Sequence, residues 1–358
     1  MIILCLWQYA GKMPSILCLK DITKNSADGI SNFLKSTFGK LQEGPLIYAR
    51  HKGIAPSGLF KDIPGSKLIF LWKHKPGVIF GTGHPGELFY LLFRPKNSKY
   101  VINFHSVLYK GDNSPWVVRT PWWIRKFIFK RASLVICPSQ FSANSVISLF
   151  PRLRVVSILN GVDLNLFSSK KSSRAFIFKK YKIPDDGVPL ISFVGSLHNR
   201  KRPEVVAGIA RAMPEARFVV LGRNVGEYDP SNFSKNRNIV WISGMPREDV
   251  AVLLSSSIAM LFPSLNDASA AVILEAMACG CVPVVSDSGG NCEFFMPNQS
   301  GLSAPVGRGE LDIFYQEIKN LLKNSSFREK ISKAAAEEAQ KHSWQSVAGQ
   351  YINAIEGI

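Results

Sequence analysis

The chain has 358 residues, 46% of them apolar, and no uninterrupted apolar run near the about 18 residues needed to cross a bilayer; it reads as globular, with room for two domains and no membrane-spanning helix. Its six cysteines (Cys5, Cys18, Cys137, Cys279, Cys281 and Cys292) lie mostly in apolar surroundings without a CxxC pair, which predicts buried thiols in a cytoplasmic protein and no metal site. Of the net charge of +18, residues 1–167 carry +15 (22 Lys and Arg against 7 Asp and Glu) and residues 168–358 only +3 (22 against 19), so the first half has a field that attracts a polyanion: nucleic acid, an anionic membrane face or a phosphorylated substrate.

The opening MIILCLWQY is apolar but short and lacks the positive start of a secretion signal; it reads as an edge strand or a leader ahead of Met13. Ser15 to Asp21 reads as a buried strand, Asn25 to Gly29 as a polar turn, and ISNFLKSTFGKL as a helix with Ile30, Phe33, Leu34, Phe38 and Leu41 on one face. Such a strand, glycine turn and helix aim N–H groups at an anion. Short strands are then predicted at LIYA, KLIFLW, GVIF and YVINF, a spacing that suits a parallel sheet with helices between strands. Gly81, Gly83 and Gly86 spell GxGxxG, but Pro85 alters the turn and no acid lies about twenty residues beyond, so the dinucleotide fingerprint fails its own test. His105 ends the strand VINFH, at the carboxyl end where parallel sheets do chemistry.

From Ser114 to Leu134, Trp116, Trp122, Trp123, Ile124 and Phe127 to Phe129 are interleaved with Arg119, Arg125, Lys126, Lys130 and Arg131. This mixture suits the interface of an anionic bilayer, where tryptophan rings sit at headgroup depth and basic groups meet phosphates. It also suits an amphipathic helix packed on the sheet, or stacking on single-stranded nucleic acid, although no RNA-binding motif accompanies it. Two more strand-to-loop units, LVICPSQFSANSVI and VVSILNGVDLNLF, lead to the polar, basic connector SSKKSSRAFIFKKYKIPDDG. The boundaries expected are a first domain over 1–167, a linker over 168–186 and a second domain over 187–342.

The second domain opens with a strand, a loop and an amphipathic helix, PLISFVGSLHNRKRPEVVAGIARAM, followed by the strands RFVVLG and IVWISG. Its densest pattern is Phe262 to Glu293: a strand end, the polar loop LNDAS, a helix closing at Gly280, and the strand CVPVVS. Asp267 stands in the loop and Glu275 eight positions on, in the helix. Acids there suit hydroxyl groups, while the unpaired N–H groups near Ala270, Ala271 and Val272 suit a diphosphate. Together they describe a site for a nucleotide-sugar, or else a pair of solvated acids capping an ordinary helix.

The stretch resembles the signature of the retaining group 1 glycosyltransferases, family 4, of GT-B fold: an acid, seven residues, Glu, then Ala-Met-Ala-x-Gly and a Pro-Val strand. Here these are Asp267 in place of Glu, then Glu275, Ala276 to Gly280, Pro283 and Val284. The resemblance implies an α/β chain of two Rossmann-like domains with parallel sheets facing across a cleft, and a last helix, about 343–358, crossing back onto the first domain. It implies that the first acid contacts the transferred sugar and Glu275 the ribose. Gly29 and His105 match the family's donor-facing positions in the first domain, with His105 facing the donor sugar. Gly195 and Lys201 match its diphosphate clamp; Ser196 stands where the family has Arg, leaving Arg200 or Arg202 to replace it. Gly222, Gly244 and Met245 match positions near the base.

The function expected is retaining transfer of a sugar from a nucleotide-diphosphate sugar, with His105, Lys201 and Asp267 catalytic and no metal or other cofactor. The expected acceptor is a lipid-linked or membrane-associated glycan, met at the cytoplasmic membrane face by Trp116, Trp122, Trp123, Arg125, Lys126, Lys130 and Arg131. Nucleic acid is not an expected partner. Two alternatives are a non-catalytic nucleotide-sugar or glycan-binding protein, to which the departures at Asp28, Ser196 and Asp267 point, and a nucleotide-sugar epimerase, against which the charge asymmetry counts because an epimerase needs no basic acceptor surface.

Overall fold

The computed structural model describes residues 16–19, 47–48, 60–61, 67–108, 121–168 and 174–358. These divide into two units, one of the residues up to Asn160 together with Trp344–Ile358, the other of Gly161–Ser343. In the first, β1 (Ile16–Cys18), β2 (Ile47–Tyr48), β3 (Phe60–Lys61), β4 (Val78–Gly81), β5 (Lys99–Asn103), β6 (Leu134–Cys137) and β7 (Val155–Ser157) pair in the order β3-β2-β1-β4-β5-β6-β7, every pairing parallel. The strands β4 to β6 are near-continuous apolar runs because both sheet faces are covered. Ile79, Tyr100, Ile102, Val135 and Cys137 face one way and pack against Leu71, Leu91, Ile128, Phe129 and Val146. These come from α1 (Lys67–His74), α2 (Leu88–Leu92), α3 (Trp122–Lys130) and α4 (Gln140–Leu149). Ser139 caps α4, its Oγ accepting from the Ser142 N–H at 3.1 Å.

One expected strand, KLIFLW, is instead the core of α1. A five-residue apolar run does not by itself distinguish a strand from a helix. The helix places Leu71 inward while Ile69 and Trp72 stay 69% and 78% exposed, so those two apolar residues are not core.

The second unit opens with α5 (Arg174–Lys180), inside the stretch expected to be a linker. Its Ile177 and Phe178 are buried, and Lys180 Nζ and Tyr181 Oη donate to Asp249 at 2.7 and 2.6 Å. The polar, basic surround hid a short amphipathic helix, and the boundary falls at Asn160/Gly161, ahead of the expected residue 167. The strands β8 (Leu190–Val194), β9 (Arg217–Leu221), β10 (Ile239–Ile242), β11 (Ala259–Phe262), β12 (Val282–Ser286) and β13 (Leu302–Ala304) form a parallel sheet ordered β10-β9-β8-β11-β12-β13. That is the doubly wound order of dinucleotide-binding folds, whose ligands sit at the carboxyl ends where the order reverses, here between β8 and β11. Its helices are α6 (Pro203–Ala212), α7 (Ser231–Ser234), α8 (Arg247–Ser256), α9 (Ala271–Ala278), α10 (Glu310–Lys323) and α11 (Ser325–Gln340). The last helix, α12 (Trp344–Glu356), belongs to the first unit. There Trp344, Val347, Tyr351 and Ile355 cover the second face of the sheet, against Val78, Phe80, Val101, Leu134 and Ile136.

Candidate functional site

At the reversal point of the second sheet the chain turns sharply out of β8. Gly195 donates its N–H to the Leu221 carbonyl at 2.9 Å, and Gly222 lies so close that a Cβ there would stand 1.8 Å from the Gly195 carbonyl oxygen. Only glycine at 222 lets the two backbones meet, and their approach sets the wall of a cavity of about 400 Å³. Gly195, Ser196 and Lys201 line one side; Ala270, Ala271, Val272 and Glu275 line the other. Ala271 and Val272 are the first two residues of α9, so their N–H groups have no partner within the helix. The short loop to α9 is fixed from behind: Ala270 donates its N–H to Asn291 Oδ1 at 3.2 Å, and Gly290 its N–H to the Asp267 carbonyl at 2.8 Å.

Charge converges beside this cavity. Asp267, 7% exposed, accepts from Lys201 Nζ at 2.6 Å and from Arg200 and Ser264 Oγ. Burial alone would raise the Asp267 pKa, but Lys201 and Arg200 prevail and hold it below the usual carboxylate value. Burial pulls Lys201 down from the ordinary lysine value, with Asp267 pulling it back. Its ammonium also lies 4.5 Å from the centre of the Phe262 ring. Arg202, the other candidate to replace the missing Arg, turns away to pair with Glu310. Arg200 is therefore the arginine beside Lys201.

Glu275 accepts from Arg247 Nη2 at 2.7 Å, and burial raises its pKa against that pull. Arg247, with Phe167 5.2 Å from its guanidinium, lines the cavity and was missed in the sequence. The readable signal was a cation opening a helix directly after a strand, two residues past Met245. Gly244 and Met245 themselves follow β10 and lie outside the lining.

In the first unit, His105 follows β5, and burial lowers its pKa to about 4, so the imidazole is neutral at ordinary pH. On the neighbouring strand end, the Thr82–Gly83 turn closes around Glu87, which is 6% exposed. Glu87 accepts from the Thr82 N–H at 2.8 Å, Thr82 Oγ1 at 2.9 Å, the Gly83 N–H at 3.1 Å and Tyr100 Oη. The glycine-rich sequence here holds a carboxylate rather than a phosphate. Gly29 and Trp116 lie outside the described residues.

The interface expected along the Trp-rich segment is corrected in part. Trp122 turns inward and stacks on Phe150 at 6.0 Å, so it is a packing residue; Trp123, Lys126, Lys130 and Arg131 are exposed and Arg125 is half-buried. The helical layer adds apolar groups outside that segment: Ile69, Trp72, Phe89, Leu92 and Phe93, each more than half exposed. Among the described residues no helix is long and apolar enough to cross a membrane, and no cluster of three or more His, Cys, Asp and Glu is placed to hold a metal ion.

Two parallel, doubly wound units with cations and a helix start converging at a reversal point define a protein of GT-B fold. Solved structures agree: a glycosyltransferase from Rickettsia africae superposes with a TM-score of 0.75 at 15% identity, covering 97% of this chain and 98% of the other. HepE of Anabaena in complex with UDP-glucose gives 0.75 at 17%, covering 97% and 100%. Residues 43–166 match glycosyltransferase family 4 and residues 173–338 match the glycosyl transferases group 1. The chain belongs to the group 1 glycosyltransferases of family 4. It is 24% identical over 292 residues to a sulfoquinovosyl transferase of Arabidopsis thaliana, covering 78% of this chain and 56% of that protein. It is likewise 24% identical over 245 residues to a GDP-mannose-dependent alpha-mannosyltransferase of Mycobacterium tuberculosis, covering 68% and 62%. The chain thus spans less than two thirds of either relative.

Proposed function

We propose that the protein transfers a sugar, with retention of anomeric configuration and without a metal, from a nucleotide-diphosphate sugar held by the second unit to a lipid-linked or membrane-associated glycan. The observation that carries this reading is the cavity at the β8/β11 reversal, where Lys201 and Arg200 converge on Asp267 beside the open N–H groups of α9. Lys201, Arg200 and the first amides of α9 bind the diphosphate and stabilise the charge that develops as it leaves, which is the role a metal fills elsewhere. Asp267 gives up a cation to the entering diphosphate and turns an oxygen to the sugar. Glu275, kept in place by Arg247, accepts from the ribose hydroxyls. His105, neutral at ordinary pH, faces the donor sugar as a hydrogen-bonding group, and catalysis is mainly positioning and charge stabilisation. Structural neighbours with UDP and UDP-glucose bound support the donor class.

The acceptor side of the proposal rests on the basic first half and on the outward face of α1, α2 and α3. Trp72, Phe89, Phe93 and Trp123 sit there with Lys73, Lys126, Lys130 and Arg131, the combination that partitions into an anionic headgroup layer. These exposures support a place at the periphery of the cytoplasmic membrane face as part of the proposal.

Thermal stability measured against UDP-, GDP- and ADP-linked sugars tests the donor site. A ligand at about a hundred times its dissociation constant adds about 2.7 kcal/mol, and the shift is expected with one nucleotide and lost in Glu275→Ala. No shift with any of them overturns the reading in favour of a non-catalytic protein.

A further inference from the structure

We infer that the second unit carries a separate pocket for a phosphate-bearing ligand, at the end of its sheet opposite the donor cavity. A depression of about 420 Å³ lies where the strands begin: Arg217 is the first residue of β9, Asn238 immediately precedes β10, and Arg211 lies in the last turn of α6. The donor cavity is at the strands' carboxyl ends, so the two openings are separated by the length of the sheet and cannot share one ligand.

The charge of this pocket is one-sided. Arg211, Arg217, Lys235 and Arg237 line it and no carboxylate does. Four of the 22 Lys and Arg of residues 168–358, a half with a net charge of only +3, therefore share one opening, while residues 251–300 contain none. An even solvating surface does not produce that distribution. Asp186, beside the opening, accepts from Arg217 Nη2 at 2.6 Å, but Arg217 Nε is buried and has no hydrogen-bond partner among the described residues. Among those residues Arg211 and Arg237 make no ion pair.

The frame of the pocket is fixed as well. The end of α6 would present carbonyl oxygens to the opening and repel an anion. The Asn238 side-chain amide donates to the Ala210, Met213 and Ala216 carbonyls, each at 2.9 Å, which neutralises that edge and ties the loop before β10 to the end of α6. Asn236 adds a longer contact to the Ala207 carbonyl at 3.4 Å. What remains to meet a ligand is a set of guanidinium and ammonium donors on a braced backbone, the chemistry that selects phosphate oxygens. The volume exceeds a single phosphate and takes part of its carrier, whether a soluble phosphate ester or a lipid headgroup.

The test is calorimetric titration of the full chain with inorganic pyrophosphate, which fits both the donor cavity and this pocket. Two classes of site are expected. Lys201→Ala should remove one and Arg211→Glu with Arg237→Glu the other, each weakened about tenfold or more, with circular dichroism unchanged. An equal charge change on α10, Lys319→Glu with Lys323→Glu, should leave both. The proposal is overturned if the Arg211/Arg237 variant binds pyrophosphate as the parent does, or if the α10 variant loses binding to the same extent. Sedimentation with vesicles of equal parts phosphatidylcholine and phosphatidylglycerol then names the source. Vesicle binding that falls along with the pyrophosphate site identifies a headgroup, and vesicle binding that persists while that site is lost identifies a soluble phosphate.

Discussion

The two sheets share a strand order but differ at the point where that order reverses. In the second unit the ends of β8 and β11 are met by Lys201, Arg200 and the start of α9, with one buried carboxylate, Asp267, among them. In the first, the end of β4 next to β1 is closed by a turn wrapped on Glu87, and the end of β5 carries a neutral His105. Topology provides the same place twice; the sign of the charge left unspent there decides what each place receives. The second reversal point has surplus cations and suits a diphosphate. The first has its carboxylate consumed internally and suits neutral, hydroxyl-rich chemistry.

Removing the charge of the second site is the most severe way to break this contrast. Lys201→Ala takes away a cation 2.6 Å from Asp267 and leaves Arg200, 44% exposed, as that acid's remaining charged partner among the described residues. Transfer should fall about 10²-fold to 10³-fold, the scale of a lost transition-state donor, measured with whichever nucleotide-sugar stabilises the parent. A loss confined to the donor KM would mean that Lys201 binds the donor without assisting its cleavage.

The corresponding cut in the first unit is predicted to act on stability rather than on charge. Glu87→Ala strands the Thr82 and Gly83 N–H groups and the Tyr100 hydroxyl in a buried turn, and should cost about 3 kcal/mol in urea unfolding of the first unit. Glu87→Gln, which keeps the shape and one acceptor oxygen, should recover part of it. If both variants unfold like the parent, the turn is not built on this carboxylate.

What the sequence revealed follows the same division. The parallel α/β pattern, the helix ending at Gly280 and the positions of Asp267 and Glu275 were legible because periodicity and caps are local signals. Arg247 was not, because its place at Glu275 depends on α8 and α9 lying side by side, a contact 28 positions apart in the chain. The exposure of Trp72 was not legible either, because the apolar run KLIFLW reads as a strand and does not show which way a helix turns each residue. Trp122 and Trp123 differ in fate by one residue, about 100° around α3, for the same reason.

Glu275→Gln sharpens the contrast by a smaller step. It keeps the size of the side chain and one acceptor oxygen but loses the charge that holds Arg247 at 2.7 Å and one of the two oxygens proposed to accept from the ribose. Donor KM should rise about tenfold, or about 1.4 kcal/mol, with kcat changed much less. A fall in kcat at unchanged KM would move Glu275 from donor binding into the chemical step.

The last effect expected is on pH, and it belongs to the first unit. Burial depresses the folded-state pKa of His105 from 6.5 to about 4, so the unfolded chain takes up its proton first as pH falls. The stability due to the neutral ring is therefore present above pH 6.5 and is lost through the window down to about 4, about 1 kcal/mol of it between pH 6.5 and about 5.5. The His105 ring resonance, assigned by its absence in His105→Gln, should stay flat above about pH 5. The same variant should lose this part of the acid sensitivity of the first unit. A titration near 6.5 would make the first reversal point a cationic site at mildly acidic pH, and the difference in charge between the two sheets would then depend on conditions rather than on the fold.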